Sequence, residues 1–302
     1  MIYFKNLIEK SQKWLALALV ITLVSCGNTD TTFDDYDPER ESFDSEKKNT
    51  SPDPTSLGGN KATGTQVKDI DISGSYAGIL VLTAKLKDPN PGSTDTHDST
   101  IKSLTLINIS KDGDNFVSAG KICSINQEQS PALGIKTYFS DGFLASIPQV
   151  SPKAKVLRQV SGKVSVNFDT FGWVSGANLS DPLNDKLPTN KSDPSIVDSD
   201  SDSKPGITIR LTGRFNGEIY VVQRIFTALS GDYDSSTGVI SGLAESSIKA
   251  NVIDASSNIL KAVDITPLKH EDASKSYFKL KPDSSITSCD QLIAAGETYF
   301  NN

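Results

Sequence analysis

Short runs in which apolar and polar residues strictly alternate constrain this chain more than any other feature. Val164, Val166 and Phe168 alternate with Lys163, Ser165, Asn167 and Asp169, and Ile207, Ile209 and Leu211 alternate with Thr208, Arg210 and Thr212. Successive side chains of a strand point to opposite faces, so each run reads as a strand with one face in a core. Ile79-Leu80-Val81-Leu82 and the β-branched stretch 101–109 are apolar without alternation, as in strands covered on both faces. Turn chemistry separates these runs. Lys111-Asp112-Gly113-Asp114-Asn115 reads as a hairpin turn, and so does Asp232-Tyr233-Asp234-Ser235-Ser236-Thr237-Gly238. Asn216-Gly217, between Arg214-Phe215 and Glu218-Ile219-Tyr220, predicts a type I′ hairpin, whose two central residues both take positive φ.

Eight to ten such strands fall within residues 66–285, which predicts an all-β fold: an antiparallel sandwich or a meandering barrel. One helix is expected, at the C-terminus, with Ser288 as its N-cap and Gly296 as its C-cap around Cys289-Asp290-Gln291-Leu292-Ile293-Ala294-Ala295. Residues 178–206 carry Pro182, Pro188, Pro194 and Pro205 and no strand pattern, so they are expected to form one long loop. Loops of this length inside a domain are commonly functional or disordered.

The N-terminus has a different texture. Lys5, Lys10 and Lys13 precede an apolar run from Trp14 to Val24, too short to span a bilayer, which takes about 20 residues. A basic flank and a short apolar core make a signal peptide. The run closes on Leu23-Val24-Ser25-Cys26, which resembles the lipobox of bacterial lipoproteins. That resemblance implies cleavage before Cys26, diacylation of its thiol, and a place in the cell envelope. Gly27 stands where inner-membrane lipoproteins usually carry Asp, which implies the outer membrane. The expected organisation is a signal peptide over 1–25, a lipidated acidic tether over 26–65, and a β-rich domain over 66–302. The tether has few apolar residues and should be disordered, spanning roughly 35 Å as a coil.

Removing Lys5, Glu9, Lys10 and Lys13 with the signal peptide takes the formal charge from -7 to -9. An acidic chain lacks the basic footprint of a nucleic-acid binder. It also offers no polybasic help at a membrane, so the membrane contact is expected to rest on the Cys26 lipid. With Cys26 acylated, Cys123 and Cys289 remain as a pair in an exported chain, which predicts a disulfide between the middle of the domain and its C-terminal helix.

Little in the chain looks catalytic. There is no G-x-S-x-G elbow, Walker A string or dinucleotide fingerprint, and His97 and His270 stand alone among charged residues that read as surface. The one metal-like string is Val197-Asp198-Ser199-Asp200-Ser201-Asp202-Ser203-Lys204, similar over five to nine residues to the calcium loops of thrombospondin type 3 and dockerin modules. Asp198, Asp200 and Asp202 would supply carboxylates and Lys204 a backbone carbonyl, with Asp185 or Asp193 as further donors. Ser203 and Ile209 stand where an EF-hand needs Gly and Glu, so the loop is not an EF-hand. Trp173, in Phe171-Gly172-Trp173-Val174-Ser175-Gly176, is the candidate for ligand stacking. The expectation is a lipid-anchored binding module for a glycan, protein or surface ligand, braced by calcium. The alternatives are a carboxylate-dependent hydrolase, or a lipocalin-like carrier whose barrel holds an apolar cavity.

Overall fold

The computed structural model describes Leu57 and residues 61–88, 93–140, 142–263 and 266–301. The signal peptide, Cys26 and nearly all of the tether lie outside the described residues. Among the described residues thirteen strands run, in chain order, β1 (Thr65–Gln66), β2 (Gly74–Lys87), β3 (Thr96–Asp112), β4 (Asn115–Gln129), β5 (Ile135–Phe139), β6 (Lys153–Arg158), β7 (Val164–Phe168), β8 (Phe171–Ser175), β9 (Ile207–Gly213), β10 (Gly217–Tyr233), β11 (Ile240–Ala255), β12 (Leu268–Lys269) and β13 (Tyr277–Pro282). Helices are short: α1 (Phe143–Ser146), α2 (Asn258–Lys261) and α3 (Cys289–Ala295).

Every pairing between these strands is antiparallel, and eight of them close on themselves. Hydrogen bonding passes from β2 through β3, β4, β6, β7, β10, β11 and β13 and back to β2. Sequence patterning left sandwich and barrel open; the β6–β7–β10 pairings make the ring a barrel. At the other end of β10 the wall continues as β9 and then β5. There β5 meets β4 through side chains: Gln129 Oε1 accepts the Thr137 amide, and Gln127 Oε1 accepts the Thr137 hydroxyl.

Strand faces follow the alternation. Tyr76 and Leu80 of β2 point inward with Ile109, Phe116, Val156, Val166, Phe168, Leu229, Phe278 and Leu280. Ala77, Ile79 and Val81 of the same strand point outward, where Leu292 of α3 and Phe300 cover them. The unbroken apolar run of β2 is thus a strand buried on both sides. A bulge in β4 leaves Cys123 without a partner on β3, and Cys123 is disulfide-bonded to Cys289 at the first turn of α3. The helix starts in a capping box: the Gln291 amide donates to Ser288 Oγ, and Gln291 Oε1 accepts the Ser288 amide.

The hairpin at Asn216-Gly217 forms, but not as a type I′ turn. Among the described residues only Ser201 and Ser203 take positive φ without being glycine, so Asn216 does not. Its side chain closes the turn instead, accepting from the Gly213 amide and donating to the Gly213 carbonyl, while Gly213 and Gly217 absorb the unusual backbone angles. An Asn amide can satisfy backbone groups locally, and here that substitutes for the left-handed backbone.

Strands β7, β8 and β9 run in line along one side of β10, opposite residues 230–232, 223–227 and 217–221. The chain leaves this composite strand after Ser175, which faces Gln223, and rejoins it at Ile207, which faces Val221. Residues 176–206 therefore form an Ω-loop with a closed neck. The neck is built by Gly176 (φ +88°) and Gly206 (φ +85°); a Cβ on either would lie 2.5–2.6 Å from the Val221 carbonyl oxygen. The loop has its own small core, Leu187, Leu179 and Ile196 against Tyr220, Val222 and Ile253. Its backbone is tied down as well. Arg224, buried on β10, donates from Nε to the Pro182 carbonyl at 2.8 Å and from Nη2 to that of Asp185, and Asn251 donates to the carbonyls of Leu187 and Pro188. Lys191 and Lys261 both pair with Asp254, holding its carboxyl well below the usual carboxylate range.

Candidate functional site

The barrel is not filled. A cavity of about 480 Å³ lies among Leu80, Leu82, Ile107, Ile122, Phe168, Phe171, Trp173, Ile225, Leu229, Phe278 and Leu280. These are inward-facing positions of β2, β3, β4, β7, β8, β10 and β13, so the cavity occupies the barrel's interior. Its polar lining is sparse: Ser103, Thr105, Ser118, Gln223 and Thr227 among them, with Lys121 and Gln149 as further polar neighbours and no Asp or Glu among the lining residues. A second, smaller space of about 160 Å³ adjoins it, sharing Leu82, Ile101, Phe139, Gln223 and Ile248 as walls.

One wall is not a strand. Between β5 and β6 the chain turns through α1 and the segment that follows, and Phe143, Leu144, Ala145, Ile147, Pro148 and Val150 all line the larger cavity. This cap is anchored at both ends. Phe143 is buried and stacks on Phe139 with ring centroids 4.3 Å apart. The Pro152 carbonyl accepts both the amide and the hydroxyl of Ser118.

Trp173, the candidate for ligand stacking, lines this cavity rather than an outer binding face; its backbone pairs with Ile225, and its indole Nε1 is buried without a hydrogen-bond partner. Sequence alternation alone places Phe171 and Trp173 on the same face, but nothing in it distinguishes a filled interior from a hollow one.

Asp198, Asp200 and Asp202 come together at the neck of the Ω-loop. Each offers an oxygen, and the three oxygens lie within 4.8 Å of one another. Asp185 accepts the Asp181 amide and Asp193 accepts from Ser195, and neither joins this cluster. The Lys204 side chain places its ammonium over the Tyr220 ring at 5.9 Å.

The histidines depart from a surface reading. His270 is buried at 6% exposure, its Nδ1 accepting the Asp272 amide and its Nε2 3.5 Å from Asp98. His97 sits 3.3 Å from Asp88. Asp98 also accepts from Lys85 and Lys275, whose ammonium groups lower its carboxyl well below the usual range. This is a structural ion cluster at the β2–β3 end of the barrel. A charged, satisfied carboxylate of lowered pKa has no driving force to act as a proton donor near neutral pH.

No protein-family model matches the chain, and no curated protein or solved structure is significantly similar to it.

Proposed function

We propose that the chain is a lipid-anchored envelope lipoprotein whose barrel binds an apolar small molecule. The observation that carries this reading is the 480 Å³ apolar cavity in the barrel. Wall atoms that face empty space forfeit their dispersion contacts, so an apolar space of this size left dry is costly to the fold. Water gains little there, because it needs two to four polar partners and the walls offer few. An apolar occupant removes the penalty. The same walls disfavour a glycan, whose hydroxyls would lose hydrogen bonds on entering. They also offer carboxylate catalysis no acidic side chain; Glu245 and Asp272 line the adjoining smaller space instead.

The lipoprotein half of the proposal rests on the basic flank, the short apolar core and Leu23-Val24-Ser25-Cys26. Among the described residues no helix is long and apolar enough to cross a membrane. Labelling with radioactive palmitate tests the anchor: wild type incorporates label and Cys26→Ala does not, and a mutant that still partitions with membranes refutes it. For the ligand, signal cleavage would remove Trp14 and leave Trp173 as the sole indole. Delipidated protein should then bind a fluorescent fatty-acid analogue saturably, one per chain, with energy transfer from Trp173. Linear, non-saturable uptake would overturn the carrier reading.

A further inference from the structure

The three carboxylates at the loop neck present an unsolved electrostatic problem in the protein alone. Asp198 accepts the amides of Asp202 and Ser203, and Asp202 accepts the amide of Lys204. Asp200 is different. It is 4% exposed, and its Oδ2 accepts the Thr208 amide at 2.9 Å and the Ser140 hydroxyl. Its Oδ1 is buried with no hydrogen-bond partner. Among the described residues no Lys, Arg or His nitrogen lies within ion-pair distance of any of the three; Lys204, the nearest in sequence, points to Tyr220. Clustered carboxylates repel one another, and a buried, unpartnered carboxylate oxygen is among the most costly groups a fold can contain.

We infer that Asp198, Asp200 and Asp202 bind a calcium ion that clamps the neck of the Ω-loop onto the cap of the barrel cavity. The donor set is all oxygen, with neither His nor Cys, which selects a hard cation. Calcium tolerates an irregular shell of six to eight oxygens and completes it with carbonyls and water, whereas magnesium demands a near-ideal octahedron. The ion supplies the missing partner of Asp200 Oδ1 and cancels most of the local charge.

The clamp follows from what Asp200 touches. Its Oδ2 holds Ser140 at the end of β5, and its backbone lies so close to Gly142 that a Cβ there would collide with the Asp200 carbonyl oxygen. The next residue is Phe143, which lines the cavity. On the other side, the Ser199 hydroxyl accepts the Gly176 amide, and the Gly206 carbonyl accepts the Ser199 amide. Fixing Asp200 thus fixes neck and cap together. Its consequence, slower ligand exchange when calcium is present, rests on the carrier reading; the ion site and the clamp do not.

The test uses the whole chain, stripped with chelator, and calcium chloride alone as the probe. Calorimetry should show one saturable site with Kd between about 10⁻⁵ and 10⁻³ M. Asp202→Asn, at an exposed position that leaves folding untouched, should weaken it tenfold or more, and Asp200→Asn should abolish it. Hydrogen exchange gives a second readout: the amides of Phe143 and Ser146, which donate to Ser140 and Gly142, should exchange several-fold more slowly with calcium. No heat at about 10 mM calcium, or affinity unchanged in both variants, overturns the site. Binding at the loop without slower exchange at Phe143 and Ser146 overturns the clamp. Failure of a fatty-acid probe to bind would sink the carrier reading alone, because calorimetry and exchange need no ligand.

Discussion

Replacing Gly120 with leucine should make the protein more stable and a worse binder at once. Gly120 sits on β4 opposite Ile107 and lines the 480 Å³ cavity. It is not among the glycines with positive φ, and a Cβ there would meet Ile107 Cγ1 at 3.5 Å and the Leu106 carbonyl at 3.8 Å, both ordinary contacts. Removing a leucine from a packed core leaves roughly 150 Å³, so adding one takes up about a third of this space. Burying the side chain contributes about 1.5–3 kcal/mol. Stiffening the unfolded chain adds about 0.4–1 kcal/mol, and fixing the leucine rotamer costs about 0.5–1 kcal/mol. The net is about 1–3.5 kcal/mol, or a rise in Tm of roughly 2–14 °C for a domain of this size. Ligand that must share the space should bind at least tenfold more weakly, about 1.4 kcal/mol. Urea unfolding of delipidated protein and titration with a fluorescent fatty acid measure the two effects. Destabilisation beyond about 1 kcal/mol would mean that the interior is already packed. Unchanged affinity would mean that the ligand sits elsewhere. Either result refutes the reasoning, since only a hollow apolar interior gives opposite signs.

Three other perturbations test the frame around the cavity. Replacing Cys123 and Cys289 together by alanine opens a cross-link spanning 166 residues and should cost about 2–5 kcal/mol, read as a lower urea midpoint; a loss under about 1 kcal/mol would argue that α3 is held by Leu292 and Phe300 alone. Gly206→Ala should cost more than Gly113→Ala, because both need positive φ but only Gly206 presses on the Val221 carbonyl; the Gly113 change should cost about 1–2 kcal/mol, and equal losses would remove the neck from the account. Burial raises both Tyr76 and Tyr299 to about 12, with the Asp283 carboxylate adding to the effect at Tyr299. Their folded pKa values exceed the ordinary value near 10, so this contribution is intact below pH 10 and lost as the pH climbs from 10 to 12. Tyr299→Phe should flatten that alkaline loss; an unaltered slope would count against it.

Alternation made the strands legible because each has one face toward the barrel axis, and the doubly apolar run of β2 was legible because α3 covers its outer face. The Ser288 N-cap was readable for a similarly local reason, and the Cys123–Cys289 pair because setting Cys26 aside leaves just two cysteines, 166 residues apart. Ring closure was not. It depends on β7 reaching β6 with one edge and three residues of β10 with the other, and no pattern within Val164–Phe168 encodes which neighbours it meets. The hollow interior was equally hidden, since inward Ile, Leu and Phe describe a filled core and an apolar pocket alike. His270 misled for the opposite reason. Its flanking Lys269, Glu271 and Asp272 are charged and exposed, but the ring turns inward and brings Nε2 to 3.5 Å from Asp98 of β3, a neighbour that only the tertiary path supplies.

The position of the Ω-loop explains how the fold carries so large an insertion. Ser175 faces Gln223 and Ile207 faces Val221, so a continuous strand would need one residue between them, opposite Val222. Thirty-one residues, 176–206, stand in that place. Closing a loop costs only slowly more as it lengthens, so the expense lies mainly in bringing the ends together. Gly176 and Gly206 do that, approaching each other and the Val221 carbonyl more closely than side chains permit. Val222, which the missing strand residue would have neighboured, is instead covered by Leu187 and Ile196 of the loop. The insertion therefore repairs the surface that it interrupts. On the other side the β10–β11 pairing continues past the neck with one bulge, where Tyr220 faces Asp254 and Val221 faces Val252, and the loop delivers three aspartates to the point where the neck meets the cap. A loop that merely decorated the barrel would have no need of a buried carboxylate at its root. Asp200, with one oxygen on Ser140 and Thr208 and the other without a partner, makes the neck the place where loop, strand and cavity wall are mechanically one.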